Sequence, residues 1–331
     1  MKIHRREVLL GALAAGLSAA SRAQTAPPAT EGPLQGDLPE PTETIDLWPL
    51  GAPGMPGNPP QETVVERSED PALSDRSVNG ITRPRMVVFR PLVSNGAAVL
   101  ITPGGGYKYV VVDKEGYEMG RWLAARGFTV FVLFYRLPGE GWTAGPNVSL
   151  SDAQRAMRLI RHRAADYGVD PERVAAMGFS AGGHLCADLT TRFAIKTYDS
   201  VDDTDALSAR PLVAAPIYPV ISMTLPIAHA GSRELLIGKD ASTDLERAHS
   251  PQNNVPPDAP PCFLCHAEDD AAVDVANSLE FRAALRAQGI PVETHLFAHG
   301  GHGFGLRYTV GKPAAAWPDL FVSWSKSMGL I

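Results

Sequence analysis

The stretch Val174-Ala175-Ala176-Met177-Gly178-Phe179-Ser180-Ala181-Gly182 joins a run of apolar residues to a helix-like segment, Gly183 to Thr191, through Gly-x-Ser-x-Gly. A strand that becomes a helix within so few residues forces a strained backbone on the serine at the turn. The flanking positions must then lack bulky side chains, and the hydroxyl is left pointing off the end of the strand. A turn of this kind belongs in a strand–turn–helix unit, and the rest of the chain has to supply the sheet around it.

It does so by alternating β and α patterns. Met86 to Phe89, Ala97 to Thr102, Thr129 to Tyr135, Arg173 to Met177, Leu212 to Ile217, Cys262 to His266 and Val292 to Phe297 read as strands. Between them, Tyr117 to Arg126, Ser151 to Tyr167, Ala181 to Thr191, Ala272 to Gln288 and a closing segment from about Ala314 read as helices. The clearest helix is Ser151 to Tyr167, with apolar positions at helical spacing, Ser151 placed to cap its start and Gly168 to end it. Continuous apolar strands separated by helices predict a mostly parallel sheet covered on both faces. The ligand site of such a sheet lies at the carboxyl ends of its strands. Gly104 to Gly106, Ser180, Asp269, Asp270, His299 and His302 all follow predicted strands. The weakly periodic stretch 221–254 is the candidate for a small cap over that site.

The amino terminus reads differently. Met1-Lys2-Ile3-His4-Arg5-Arg6-Glu7, the apolar run Val8 to Ala20 and Ser21-Arg22-Ala23 together form an export signal, with adjacent arginines that point to the twin-arginine route. Residues 1–23 are therefore expected to be removed, and 24–62, dense in Pro and Gly, to form a leader running into peripheral coil and short edge strands ahead of one α/β domain, 63–331. Removal of Lys2, Arg5, Arg6 and Arg22 against Glu7 moves the formal charge from −6 to −9. An acidic chain of this kind argues against nucleic acid or an anionic membrane as a partner, and no other segment is apolar for long enough to insert in a membrane. Cys186, Cys262 and Cys265 are read as buried free thiols, because the last two lie on one predicted strand where a bridge is geometrically poor.

A serine hydroxyl is a weak nucleophile near neutral pH. It needs a base within hydrogen-bond reach, and that base needs a carboxylate to fix its tautomer. His299-Gly300-Gly301-His302-Gly303 supplies two histidines, of which His302 is preferred because glycines on both sides leave its ring room to reach the serine. Glu268-Asp269-Asp270 supplies the acid, with the choice between Asp269 and Asp270 open at this level. Acyl transfer also needs backbone donors for an oxyanion. The amides of Gly105 and Gly106, after the strand ending at Thr102, and of Ala181, after the serine, are the candidates. Tyr107, Trp142 and Arg233 are the candidate substrate-binding side chains. A phosphate-cradling loop at Gly104 to Gly106 is disfavoured because it lacks the Gly-Lys-Ser/Thr ending. Metal catalysis is disfavoured because no His-Glu-x-x-His helix is present, and no cofactor is implied.

Pro103-Gly104-Gly105-Gly106-Tyr107, Glu115-Gly116, Tyr135-Arg136-Leu137, Asp152-Ala153-Gln154-Arg155, Gly178 to Leu185, Ile217-Tyr218-Pro219-Val220-Ile221 and His302-Gly303-Phe304-Gly305 resemble the exported α/β-hydrolase esterases of acetyl xylan esterase type, over about residues 85 to 325. The resemblance implies an α/β-hydrolase fold and removal of acetyl groups from plant polysaccharide, with acetylated oligosaccharide or polysaccharide as the partner. In that family the acid precedes a two-residue gap and a Val, and Asp270-Ala271-Ala272-Val273 fits, which implies Asp270 rather than Asp269. Asp274 where proline is common and His266-Ala267 where His-Gly is common are departures. The other readings are a feruloyl, aryl or general carboxylesterase and, from a different class, a carbohydrate-binding module with a vestigial site. The export signal implies a periplasmic or extracellular location.

Overall fold

The apolar runs become strands, and in a computed structural model that describes residues 39–331 they assemble into two sheets. The export signal of residues 1–23 and the first part of the leader lie outside the described residues. In chain order the elements are β1 (Pro41–Asp46), β2 (Thr63–Glu66), β3 (Arg76–Asn79), β4 (Arg85–Phe89), β5 (Ala98–Thr102), β6 (Val110–Val111), α1 (Glu118–Ala124), β7 (Thr129–Phe134), α2 (Val148–His162), β8 (Val174–Phe179) and α3 (Ser180–Arg192). They continue with β9 (Ala214–Ile217), α4 (Ala230–Ile237), α5 (Thr243–Ala248), β10 (Cys262–Ala267), α6 (Ala276–Ala287), β11 (Val292–Phe297) and α7 (Trp317–Ser327).

The main sheet has the order β1-β4-β7-β5-β8-β9-β10-β11. Only β1–β4 and β4–β7 pair antiparallel; every pairing from β7 to β11 is parallel. The strand order reverses at β5, with β7 on one side and β8 on the other, so a crevice opens between the ends of β5 and β8. Thr102 at the end of β5 is in register with Gly178 of β8, which sets the Gly104–Gly106 loop beside Ser180. Helices α2 and α3 pack together and on β5 and β8, α1 on β4 and β7, and α6 and α7 on β10. A small sheet, β2-β3-β6, completes the body.

Two expectations need correction. The edge strand expected within residues 24–62 is β1, but it joins the main sheet and the chain beyond it is tied to the core, so the body extends ahead of residue 63. The Trp48 indole donates to Asp152 Oδ1 at 2.8 Å, Arg155 Nε donates to the Leu47 carbonyl at 3.0 Å, and Arg136 Nη1 donates to the Pro53 carbonyl at 2.7 Å. Arg136 and Asp152 themselves form a fully buried pair at 2.7 Å. Ser151 does not cap α2, which starts three residues earlier; its hydroxyl lies inside the helix and donates back to the Asn147 carbonyl at 2.9 Å. The three cysteines are free and buried, and burial pushes each thiol up, Cys186 to about 12. No helix of the described residues is long and apolar enough to cross a membrane.

Candidate active site

Ser180 stands at the junction of β8 and α3 with φ 54°, in the left-handed region. That backbone is affordable only because its neighbours have no side chains. A Cβ on Gly178 would lie 2.2 Å from the Gly182 carbonyl oxygen, and one on Gly182 would lie 2.1 Å from that of Thr102. Tyr107 (φ 60°) and Tyr218 (φ 36°) are the other non-glycine residues of the described chain with positive φ, and they follow the carboxyl ends of β5 and β9, the two strands that pair with β8. Backbone strain thus gathers at one edge of the sheet, as it does at functional sites.

Around the serine the structure brings together three of the residues singled out from the sequence. Ser180 Oγ lies 2.8 Å from His302 Nε2, and His302 Nδ1 lies 2.7 Å from Asp270 Oδ2. Asp270 also accepts the amides of Ala272 and Val273 on Oδ1, each at 2.9 Å, and has His266 Nε2 3.3 Å from Oδ2. Burial pushes this carboxyl up, but its contacts with His266 and His302 and the Val273 amide outweigh burial and hold it well below the usual carboxylate range. It stays ionised against the imidazole. Asp269 takes another part: its Oδ1 accepts the amides of Gly300 and Gly301 at 2.8 Å and so shapes the loop that carries His302. His299 beside it is 83% exposed, with Nδ1 3.3 Å from Asp269 Oδ2.

The Gly104 amide is committed to Glu115 Oε2 at 2.8 Å. The amides of Gly105 and Gly106 donate to no group of the described residues, and that of Ala181 is one of the unpaired donors of the first turn of α3. Gly105, Gly106 and Ser180 border a cavity of about 320 Å³, whose wall also includes His229, Gly231 and Leu235 from α4 and the residue that caps it. The stretch expected as a cap thus contributes α4 to the site. A hydroxyl, a base oriented by a carboxylate, and free amides beside a small cavity are the parts of nucleophilic acyl transfer. A larger hollow of about 640 Å³, beside the edge strand β11 and lined by Arg282, Arg286 and Trp324, contains none of them.

The three side chains expected to touch substrate do not reach the cavity. Tyr107 is 2% exposed and its hydroxyl is 2.7 Å from His184 Nδ1. Trp142 is buried with the Arg136 guanidinium 4.8 Å from its ring centre. Arg233 spends its donors on the Met223, Gly238 and Lys239 carbonyls and on Glu246 Oε1 at 2.6 Å, tying α4 to α5. Residues without an expected role matter instead. Buried Glu115 receives both the Gly104 amide and the Tyr218 hydroxyl, and Tyr218 packs its ring 5.4 Å from that of His302. Both stand in segments that carried the family resemblance, which was the available signal; His229 had none.

The BD-FAE family model matches residues 93–285, which include Ser180 and Asp270 and stop short of His302. An acetylxylan esterase of Xylanibacter ruminicola is 33% identical over 228 residues, 68% of this chain and 44% of that protein. Endo-1,4-beta-xylanase B of Butyrivibrio fibrisolvens is 34% identical over 231 residues, 69% of this chain and 34% of that protein. The chain spans less than half the length of these two curated relatives. Among solved structures, an acetyl ester-xyloside bifunctional hydrolase from Caldicellulosiruptor lactoaceticus is 33% identical with a TM-score of 0.72, over 90% of this chain and 100% of that one.

Proposed function

The chain belongs to the BD-FAE family, and from that membership and the geometry of its site we propose that it is a serine-dependent carboxylic ester hydrolase that removes acetyl groups from plant cell-wall polysaccharide or oligosaccharide. The observation that carries the reading is the pair of contacts Ser180 Oγ to His302 Nε2 and His302 Nδ1 to Asp270 Oδ2 at the edge of the cavity. Ser180 Oγ attacks the ester carbonyl carbon while His302 Nε2 takes the hydroxyl proton, and Asp270 stabilises the imidazolium that forms. The amides of Gly105, Gly106 and Ala181 receive the carbonyl oxygen as it becomes an oxyanion. His302 then returns the proton to the departing alcohol, leaving an acetyl-enzyme, and activates the water that releases acetate.

The sugar acetate as substrate is supported by what the relatives are named for, an acetylxylan esterase and an acetyl ester-xyloside hydrolase. Acetate release from acetylated xylan oligosaccharides, measured beside 4-nitrophenyl acetate and methyl ferulate with the wild type and Ser180→Ala, tests it. Ser180-dependent release from the sugar supports the proposal. Activity confined to the aryl acetate or the ferulate points to a general or feruloyl esterase, and the absence of Ser180-dependent turnover on every ester leaves a carbohydrate-binding module.

The export of the chain belongs to the same reading. It rests on the basic, apolar and small-residue sequence of residues 1–23, and an exported product, periplasmic or extracellular, with the mass of a chain that begins at Gln24 is the expected result.

A further inference from the structure

The wall of the cavity that faces the Gly104–Gly106 loop holds a histidine that the mechanism leaves unused. His229 caps α4. Its Nδ1 accepts the Ser232 amide at 3.2 Å, and the Ser232 hydroxyl lies 2.8 Å from the same nitrogen. A backbone amide can only donate, so Nδ1 is unprotonated and the neutral ring carries its hydrogen on Nε2. Burial, and after it the neighbouring His302, disfavours the charged ring. Nε2 has no hydrogen-bond partner among the described residues, and the half-buried ring lines the same cavity as Ser180 and His302. Its Cε1 is 4.0 Å from where a Cβ on Gly106 would stand, so the ring faces the loop whose amides border the serine. Asn or Ser would cap a helix as well as His does. What the imidazole adds is an N–H donor inside the cavity.

We propose that His229 is a specificity residue whose Nε2–H donates to an oxygen of the alcohol part of the ester, a hydroxyl or ring oxygen flanking the acylated carbon, and so selects acetylated sugars and polyols over simple alkyl acetates. This deepens the esterase reading and rests on it. The alcohol part is indicated because the only acceptor of an acetyl group that a donor meets well is the carbonyl oxygen, and that oxygen is taken by the backbone amides of the loop and α3.

The test compares kcat/KM for a monoacetylated methyl pyranoside with that for cyclohexyl acetate, which presents the same ring without its flanking oxygens, in the wild type and in His229→Asn. Asparagine keeps a cap for α4, so the melting temperature should hold, while the pyranoside-to-cyclohexyl ratio should fall about three- to tenfold, the worth of one neutral hydrogen bond. His229→Gln, whose amide can reach further than that of asparagine, should recover part of the ratio and gives a second reading if the asparagine variant folds poorly. A ratio unchanged in both variants overturns the inference. An equal fall on both esters also overturns it, because the donor would then act on the carbonyl oxygen they share. No turnover of either ester by the wild type is a separate result, which overturns the esterase reading and the inference with it.

Discussion

Tyr107→Phe separates two accounts of the loop that borders the serine. Tyr107 is 2% exposed, holds φ 60°, and sits next to Gly106, whose amide is a candidate oxyanion donor. Its hydroxyl is 2.7 Å from His184 Nδ1, and His184 Nε2 is 2.8 Å from the His249 carbonyl. A carbonyl only accepts, so Nε2 carries the ring hydrogen, Nδ1 is the acceptor and the phenol donates. Burial supports this by pushing the tyrosine up and His184 down, so that both stay neutral. The phenylalanine variant keeps the ring against Tyr135 and His184 but leaves a fully buried nitrogen without a donor. A loss of that kind costs about 1–3 kcal/mol. At roughly 2 °C per kcal/mol for a chain of this size, the melting temperature should drop by about 4 °C. Calorimetry on Tyr107→Phe, His184→Phe and the double variant is the assay. The tyrosine substitution should cost much less when His184 is already gone, because no acceptor is then stranded. An unchanged melting temperature with a raised KM would refute the reasoning and return Tyr107 to the substrate contacts expected from the sequence.

Three further outcomes follow from the same geometry. Asp270→Asn should lower kcat by about 10³–10⁴ through the wrong histidine tautomer, whereas Asp269→Ala should cost far less and act through the loose His302 loop; equal losses in a steady-state assay would contradict the division of labour between the two carboxylates. Gly182→Ala places a Cβ 2.1 Å from the Thr102 carbonyl oxygen, so folding stability should fall by more than the ~1–3 kcal/mol usual for overpacking, seen as a lower denaturant midpoint and a lower soluble yield. His249 is 3% exposed, and burial lowers its imidazole from 6.5 to about 4. The unfolded chain therefore takes the proton first. The group's contribution is complete above pH 6.5 and is lost as pH falls toward 4, by about 3 kcal/mol at ~1.4 kcal/mol per pH step; urea titrations at pH 7 and pH 4.5 should show a shortfall that is smaller in His249→Gln.

The elements that could be read from the sequence are those whose cause is local. The Gly-x-Ser-x-Gly turn was legible because the strain at Ser180 is relieved by residues two positions away, and β5, β7 and β10 because a strand buried on both faces has to be apolar throughout. What the sequence misplaces depends on tertiary partners, some of them far along the chain. The boundary at 63 failed because Trp48 is held by Asp152, and nothing near residue 48 records that contact. Tyr107 and Trp142 read as loop residues and Arg233 as a holder of a polar group, yet the three pack against His184, Arg136 and Glu246, of which only His184 is remote along the chain. His229 escaped notice for the opposite reason. A lone histidine in a stretch without periodicity has no local signature, and only the fold of α4 over the strand ends places it in the same cavity as the serine. The chemistry of Ser180, His302 and Asp270 is fixed by strand order and was therefore open to motif reading, whereas the residues that would choose among esters come from the insertion between β9 and β10. Selectivity among substrates should accordingly respond to substitutions in that insertion, and the chemical step to substitutions at the ends of β5, β8, β10 and β11.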